Sequence, residues 1–189
     1  MKIIAVTGNH QAGASAGSIS MRVLADSALL HSNLPFFMPT NVAPEWTVHL
    51  AVGVRIGRLG KCISPRFAGR YRTDVMACLV AEPKGEWVDL TDARMSSCDG
   101  AVMVGEAVPG IEPRQAEATL LVGQRKAARL QCAEMSLSFD ELIAEASRGM
   151  TLKTGDLLLD VSPQAVDIVP GDNLWARLDS QPSLEIRVK

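Results

Sequence analysis

Across residues 45–56 apolar side chains fall on every second position, at Trp46, Val48, Leu50, Val52 and Val54. A period of two is the mark of a β-strand, and it sets His49, Ala51 and Gly53 together on the opposite face. Residues 2–7 are β-branched and apolar up to Gly8 and predict a first strand. Residues 75–81 predict another, closed by a turn at Pro83-Lys84-Gly85. Asp99-Gly100 opens a strand over 101–105. Residues 118–122 and 126–130 flank Gly123-Gln124 and predict a hairpin. Residues 157–159, 174–178 and 184–188 predict the last strands, with a turn at Pro170-Gly171-Asp172.

Two segments follow the helical period instead. Residues 20–30 place Met21, Leu24, Ala25 and Ala28 on one face and predict a helix. Residues 139–147 predict a second, capped by Ser138, with Asp140 and Glu141 in its first turn and Arg148 and Gly149 at its end. Residues 65–71 predict one short basic helical turn. Many strands and few helices define an α+β, mostly β fold: a single domain over residues 1–189 with a rolled or barrel-like sheet.

Composition changes this picture little. The chain has 189 residues, 47% of them hydrophobic and 21% charged, enough to bury a core. A net charge of -2 gives no electrostatic reason to expect nucleic acid or an anionic membrane as partner. No apolar run reaches the roughly 18 residues of a membrane span, and the first residues lack a signal-peptide pattern, so the expected location is cytoplasmic. Cys62, Cys78, Cys98 and Cys132 form no CxxC and have no histidine at zinc spacing, which predicts free thiols. The glycine-rich stretch 8–17 has neither a Gly-Lys-Ser/Thr ending nor G-x-G-x-x-G spacing, so it reads as a loop and not as a nucleotide cradle.

Five segments in order resemble a known family. They are Phe36-Phe37-Met38, the run from Arg55-Ile56-Gly57-Arg58 to Pro65-Arg66-Phe67-Ala68, Asp99-Gly100 to Glu106, the run from Ser147-Arg148-Gly149-Met150 to Thr154-Gly155-Asp156-Leu157, and Val169-Pro170-Gly171-Asp172. Together they are similar to small bacterial members of the fumarylacetoacetate hydrolase family. The resemblance implies a β-rich roll, usually a homodimer. It also implies a magnesium, manganese or calcium ion held by carboxylates, and chemistry on small oxo-acids. A hard cation on oxygen ligands chelates such a substrate and stabilises its enolate.

Position by position, the resemblance places two ligand sites at His49 and Ala51, where the family has Glu-x-Glu, and a third at Val80, where it has aspartate. The family's lysine falls at Ser96, and its Thr-Gly-Thr-Pro loop at Asp160-Val161-Ser162-Pro163. A His-x-x-Glu pair used by some members falls at Gly13 and Ala16. Alanine and valine offer no oxygen, and histidine suits softer metals than magnesium. The expectation is therefore a degenerate member: no metal, no confident catalytic residue, and a vestigial pocket of His49, Ser96, Asp160 and Ser162 with room for a small oxo-acid.

Two alternatives stand beside it. One is an active magnesium- or manganese-dependent hydrolase, isomerase or decarboxylase in which Glu82, Asp99 and Asp160 rebuild a metal site. The other is a regulatory subunit pairing with an intact homologue. Cys78 shares a face with Val80 near His49 and invites a Cys–His dyad, although no third group to orient it is visible; its plainer reading is a buried thiol. Arg66, Arg70 and Arg72 read as an anion site or, more plainly, as a solvated surface.

Overall fold

The computed structural model describes residues 1–10, 19–84 and 98–189. Its strands are β1 (Ile3–Thr7), β2 (Ser20–Leu24), β3 (Leu29–His31), β4 (Pro35–Phe36), β5 (Trp46–Ile56), β6 (Arg72–Pro83), β7 (Val102–Val104), β8 (Glu117–Val122), β9 (Arg125–Gln131), β10 (Leu157–Ile168), β11 (Asn173–Leu178) and β12 (Gln181–Val188). The α-helices among the described residues are α1 (Pro65–Ala68) and α2 (Phe139–Gly149). The fold is mostly β, as the alternation predicts.

The strands form a seven-stranded sheet in the order β2-β1-β10-β5-β6-β7-β3 and a five-stranded sheet in the order β4-β12-β11-β8-β9. The long strands β5, β6 and β10 pair antiparallel at the centre of the larger sheet, while β1 joins β10 in parallel. One face of that sheet carries Ile4, Val48, Leu50, Val52, Leu79 and Leu158 into the main core. There they meet Leu120, Leu174 and Ile186 of the smaller sheet and Leu142 and Ile143 of α2. The sequence alternation thus fills both faces of β5, with apolar side chains inward on one and His49, Ala51 and Gly53 on the other.

The helix α2 closes one side of the core. Ser138 Oγ accepts from the Glu141 backbone N–H at 3.3 Å, and the Glu141 carboxylate accepts from the Ser138 N–H at 2.7 Å. This reciprocal capping box is what the Ser-x-x-Glu spacing encodes. The Ser138 hydroxyl also donates to the Glu141 carboxylate at 2.7 Å, and that bond first, then the one from the Ser138 backbone, holds the Glu141 carboxyl below its ordinary range.

The two sheets are joined where β6, the residues after β7, and β12 meet. The Ser183 hydroxyl accepts from the Ala77 N–H at 3.0 Å and donates to the Glu106 carbonyl at 2.8 Å. The Gly105 N–H donates to the Ala77 carbonyl beside it. Only glycine fits there, since a Cβ would lie 2.5 Å from Ser183 Oγ and 2.6 Å from its carbonyl oxygen.

The helix expected over 20–30 is not formed. Residues 20–24 are an edge strand paired with β1, Asp26–Ala28 make one 3-10 turn, and Leu29–His31 pair with β7. The apolar spacing there satisfies a helix locally. The free edge of β1 offers backbone partners along a whole strand, and that tertiary gain outweighs a weak local preference. The turn expected at Pro83-Lys84-Gly85 is described only to Lys84, because residues 85–97 lie outside the described residues.

Candidate functional site

The positions singled out by sequence sit on the second face of the large sheet. His49 lies directly across from Val80, and Ala51 lies between Cys78 on β6 and Val161 on β10. His49, Ala51 and Val80 are therefore neighbours on one surface, in the arrangement expected of residues two apart on paired strands.

Along most of its length that surface is apolar. Ile3, Ala5, Ala51, Met76, Cys78, Val80, Val102, Val104, Leu157, Leu159 and Val161 form one buried cluster, none of them more than 5% exposed. Gly53 is part of the same surface and is tightly approached: a Cβ there would lie 2.7 Å from Leu159 and 3.0 Å from Cys78. Ala51 and Val80 present only hydrocarbon. A magnesium or manganese ion needs several oxygen ligands to replace its water, and the described residues of this buried cluster offer no side-chain oxygen. Ala51 and Val80 do not fit the ion.

Polar chemistry appears where the surface opens. A cavity of about 280 Å³ is lined by Thr7, Gly8, Arg22, His49, Glu82 and Ser162 among others. His49 Nδ1 donates to the Ser162 carbonyl at 3.0 Å, because a carbonyl can only accept. That fixes the ring and turns Nε2 toward Glu82 Oε2, 3.6 Å away. Arg22 donates to the other Glu82 oxygen at 3.0 Å. His49 and Glu82 are both partly buried, so the three side chains form a half-sheltered polar rim on an apolar floor.

Asp160 does not belong to this rim. Along β10 it alternates with Val161, pairs with Val6 and Val52, and points to the other face of the sheet. There it is fully buried, accepts from the Asn9 side-chain amide at 2.9 Å, and shares a hydrogen bond with His10 Nε2. Asn9 is itself tied to the Leu137 backbone through both its amide nitrogen and its oxygen.

The loop expected at 160–163 is instead part of β10. A shift of register between Val161 and Ala165 bulges the strand there, and Pro163 occupies the bulge, where no ladder N–H is required. Ser162 stays buried and its hydroxyl accepts from the Gln164 N–H at 3.1 Å. Of the vestigial candidates, the structure brings His49 and Ser162 together and separates Asp160. Ser96, Gly13 and Ala16 lie outside the described residues.

Glu82, Asp99 and Asp160 do not come together: among the described residues no three His, Cys, Asp or Glu side chains converge. Cys78 is no nucleophile. Burial pushes its thiol up to about 12, against the weaker pull of the Gly105 backbone and Arg55, and its cross-strand partner is Ala51 and not His49. A buried neutral thiol is inert. The expectation of free thiols holds at Cys62, Cys78 and Cys132. In the basic group, Arg72 is committed to structure, bridging Asp140 at 3.0 Å and Glu112 at 3.1 Å.

Sequence reasoning missed two residues of the picture. Arg22 was hidden inside the segment that reads as a helix. His10 meets a partner 150 residues away, and no spacing rule links them.

Comparison with known proteins decides the lineage. The family model for the fumarylacetoacetate hydrolase C-terminal domain matches residues 74–189. This chain belongs to the fumarylacetoacetate hydrolase family. Solved structures of that fold superpose on nearly all of it. A 5-carboxymethyl-2-hydroxymuconate delta-isomerase from Mycobacterium smegmatis is 19% identical, with a TM-score of 0.86 over 99% of this chain and 78% of its own. A maleylpyruvate hydrolase from Sphingobium sp. SYK-6 is 20% identical, with a TM-score of 0.85 over 99% and 70%. A fumarylpyruvate hydrolase from Pseudomonas aeruginosa, solved with Mn2+ and pyruvate, is 17% identical, with a TM-score of 0.84 over 100% and 89%. No curated protein matches in sequence. The curled, mostly β architecture of this chain is thus the fumarylacetoacetate hydrolase fold. No helix among the described residues is long and apolar enough to cross a membrane.

Proposed function

We propose that this chain is a fumarylacetoacetate hydrolase family protein that has given up divalent-metal-dependent catalysis and keeps the fold for another purpose. The observation that carries this reading is the sealed hydrocarbon surface at Ala51 and Val80, which are 0% and 4% exposed. Burying a doubly charged cation against alanine, valine and a neutral thiol would cost several kcal/mol of uncompensated desolvation. Such an ion would stay in water. The reading therefore includes no metal cofactor and a cytoplasmic protein with neither nucleic acid nor membrane as partner.

A second reading has one observation in its favour. His49, Glu82 and Arg22 converge on a cavity of about 280 Å³, room for a small oxo-acid. On this reading the pocket still binds a ligand, or supports magnesium- or manganese-dependent chemistry through groups other than the family's carboxylates.

Melting curves separate the two. After chelator treatment the protein is titrated with magnesium, manganese and calcium, and separately with pyruvate and oxaloacetate, with turnover of acylpyruvates followed in parallel. A ligand at 100 times its Kd adds about 2.7 kcal/mol to the folded state, a readily seen shift. The proposal expects no shift with any cation and no turnover. A saturable cation-dependent rise, or cation-dependent turnover, refutes it.

A further inference from the structure

The outer face of the smaller sheet carries side chains that neither the core nor the metal face uses. Along β11 the alternation sends Leu174, Ala176 and Leu178 into the core and leaves Asn173, Trp175 and Arg177 outside. Across the ladder, Trp175 lies opposite Glu185 and Asn173 lies opposite Arg187 on β12. Directly opposed residues share a face, so these side chains stand together on the surface. The Gly123 N–H donates to the Asn173 carbonyl at 2.8 Å and brings the next turn residue, Gln124, to the same corner.

Two cavities open on this face. One, of about 440 Å³, is lined by Gln124, Asn173, Trp175, Glu185 and Arg187 among others. The second, of about 430 Å³, is lined by Glu185, Arg187 and Lys189 among others. Glu185 and Arg187 belong to both, so the cavities adjoin. Each has the size of a small-molecule site. Their shared wall is polar and uncommitted. Among the described residues Glu185 and Arg187 form no ion pair, with each other or with any other side chain, and neither does Lys189. Elsewhere such groups are taken: Arg129 on the same sheet is held by Glu117 at 2.6 Å, and buried Trp46 donates its indole N–H to the Ala43 carbonyl at 3.1 Å. Trp175 is 40% exposed, and no described residue accepts from its indole.

A flat ring beside two carboxamides, then a carboxylate, then two cations, follows the parts of a nucleotide in order. An exposed indole stacks well on a base. A side-chain amide matches the adenine edge with one donor and one acceptor, and Gln124 and Asn173 offer such amides beside the ring. A carboxylate accepts from ribose hydroxyls, and Glu185 stands at the junction of the two cavities. Arg187 and Lys189 supply charge-assisted donors for a phosphate. Trp175 and Arg187 are diagonal neighbours on paired strands, about 7–8 Å apart, so one small molecule reaches both. A neutral sugar would leave the cations unanswered, and inorganic phosphate would leave the indole unused. We infer that this face binds an adenosine 5′-monophosphate, with its base on Trp175 and its phosphate on Arg187 and Lys189. This inference does not depend on whether the metal face is active.

Calorimetric titration of the whole chain with adenosine 5′-monophosphate, adenosine and inorganic phosphate tests it. The mononucleotide is expected to bind, and adenosine and phosphate each to bind at least about tenfold more weakly, since each forfeits one half of the contacts. Trp175→Ala should weaken the mononucleotide at least about tenfold, the size of one base stacked on an aromatic ring. Arg187→Glu should weaken the mononucleotide by as much and leave adenosine unchanged. Both side chains are exposed, so folding is not at stake. Absence of binding at millimolar mononucleotide overturns the inference, as does equal affinity for adenosine, or binding that both substitutions leave intact. A 5′-phosphorylated oligoadenylate that binds more tightly than the mononucleotide overturns it too, because the groove would then serve a strand.

Discussion

Placing a carboxylate back at position 80 tests the apolar metal face most directly. Val80 is 4% exposed and sits across from His49 on one side and Val102 on the other. Val80→Asp removes a buried hydrocarbon side chain, a loss of about 2 kcal/mol of transfer free energy. It also buries a carboxyl group without a built partner, which adds about 1–3 kcal/mol even when the group is protonated. The sum, about 3–5 kcal/mol, is a large part of the roughly 5–15 kcal/mol that keeps a domain folded.

The penalty has a distinctive pH dependence. Burial raises the folded-state pKa of the new carboxyl above its unfolded value of about 3.9. Between those two values the folded state holds a proton that the unfolded state has lost. Stability of the variant relative to the native chain therefore falls as pH rises through this window, by up to about 1.4 kcal/mol per unit. Val80→Ala, which creates the space without the charge, should show the hydrocarbon loss and no such slope. Urea unfolding at pH 4 to 8 provides both readouts. If Val80→Asp costs under about 0.5 kcal/mol, or its cost is flat with pH, the face is not sealed and the argument against a cation there fails.

Other outcomes follow from single contacts. Asp156 is buried; burial opposes its charge, but the Lys2 ammonium and the backbone N–H groups of Lys153 and Lys2 prevail and hold its carboxyl below the ordinary range. That contribution is present above the unfolded pKa and is lost as pH falls through the folded one, so the gap in melting temperature between native and Asp156→Asn proteins should narrow in acid. A thiol reagent should modify exposed Cys62 fastest and leave Cys78 and Cys132 untouched until unfolding, since burial raises both thiols. Ser183→Ala strips partners from the Ala77 N–H and the Glu106 carbonyl and should cost about 1–3 kcal/mol in urea unfolding, with an unchanged m-value.

The parts of the fold that were legible in sequence are those whose pattern is local and long. Eleven residues of alternation fixed β5 and both of its faces, and a glycine turn marked the β8–β9 hairpin. The cap at Ser138 and the acidic first turn of α2 stand in the sequence as they do in the structure. Segment 20–30 was misread because Met21, Leu24, Ala25 and Ala28 fit a helix equally well, and what decides is the free edge of β1, which no window of residues 20–30 contains. At the site, the resemblance to family motifs placed His49, Ala51 and Val80, and strand geometry confirms that these three adjoin. Asp160 shows the limit: its place in a motif said nothing about which side of the sheet it faces. One residue of register separates the two faces, and here the bulge begins only after Val161.

The parallel pairing of β1 with β10 bears on how the protein is made. Ile3 lies opposite Leu157 and Val6 opposite Asp160, so β1 meets its inner neighbour only after some 150 further residues have been made. Until then it has only the short edge strand β2 for company, and a two-stranded ribbon is marginal in water. This part of the central sheet therefore closes late, around a strand made long after β1. An apolar segment left waiting that long is exposed to wrong partners, including the same segment on a neighbouring nascent chain.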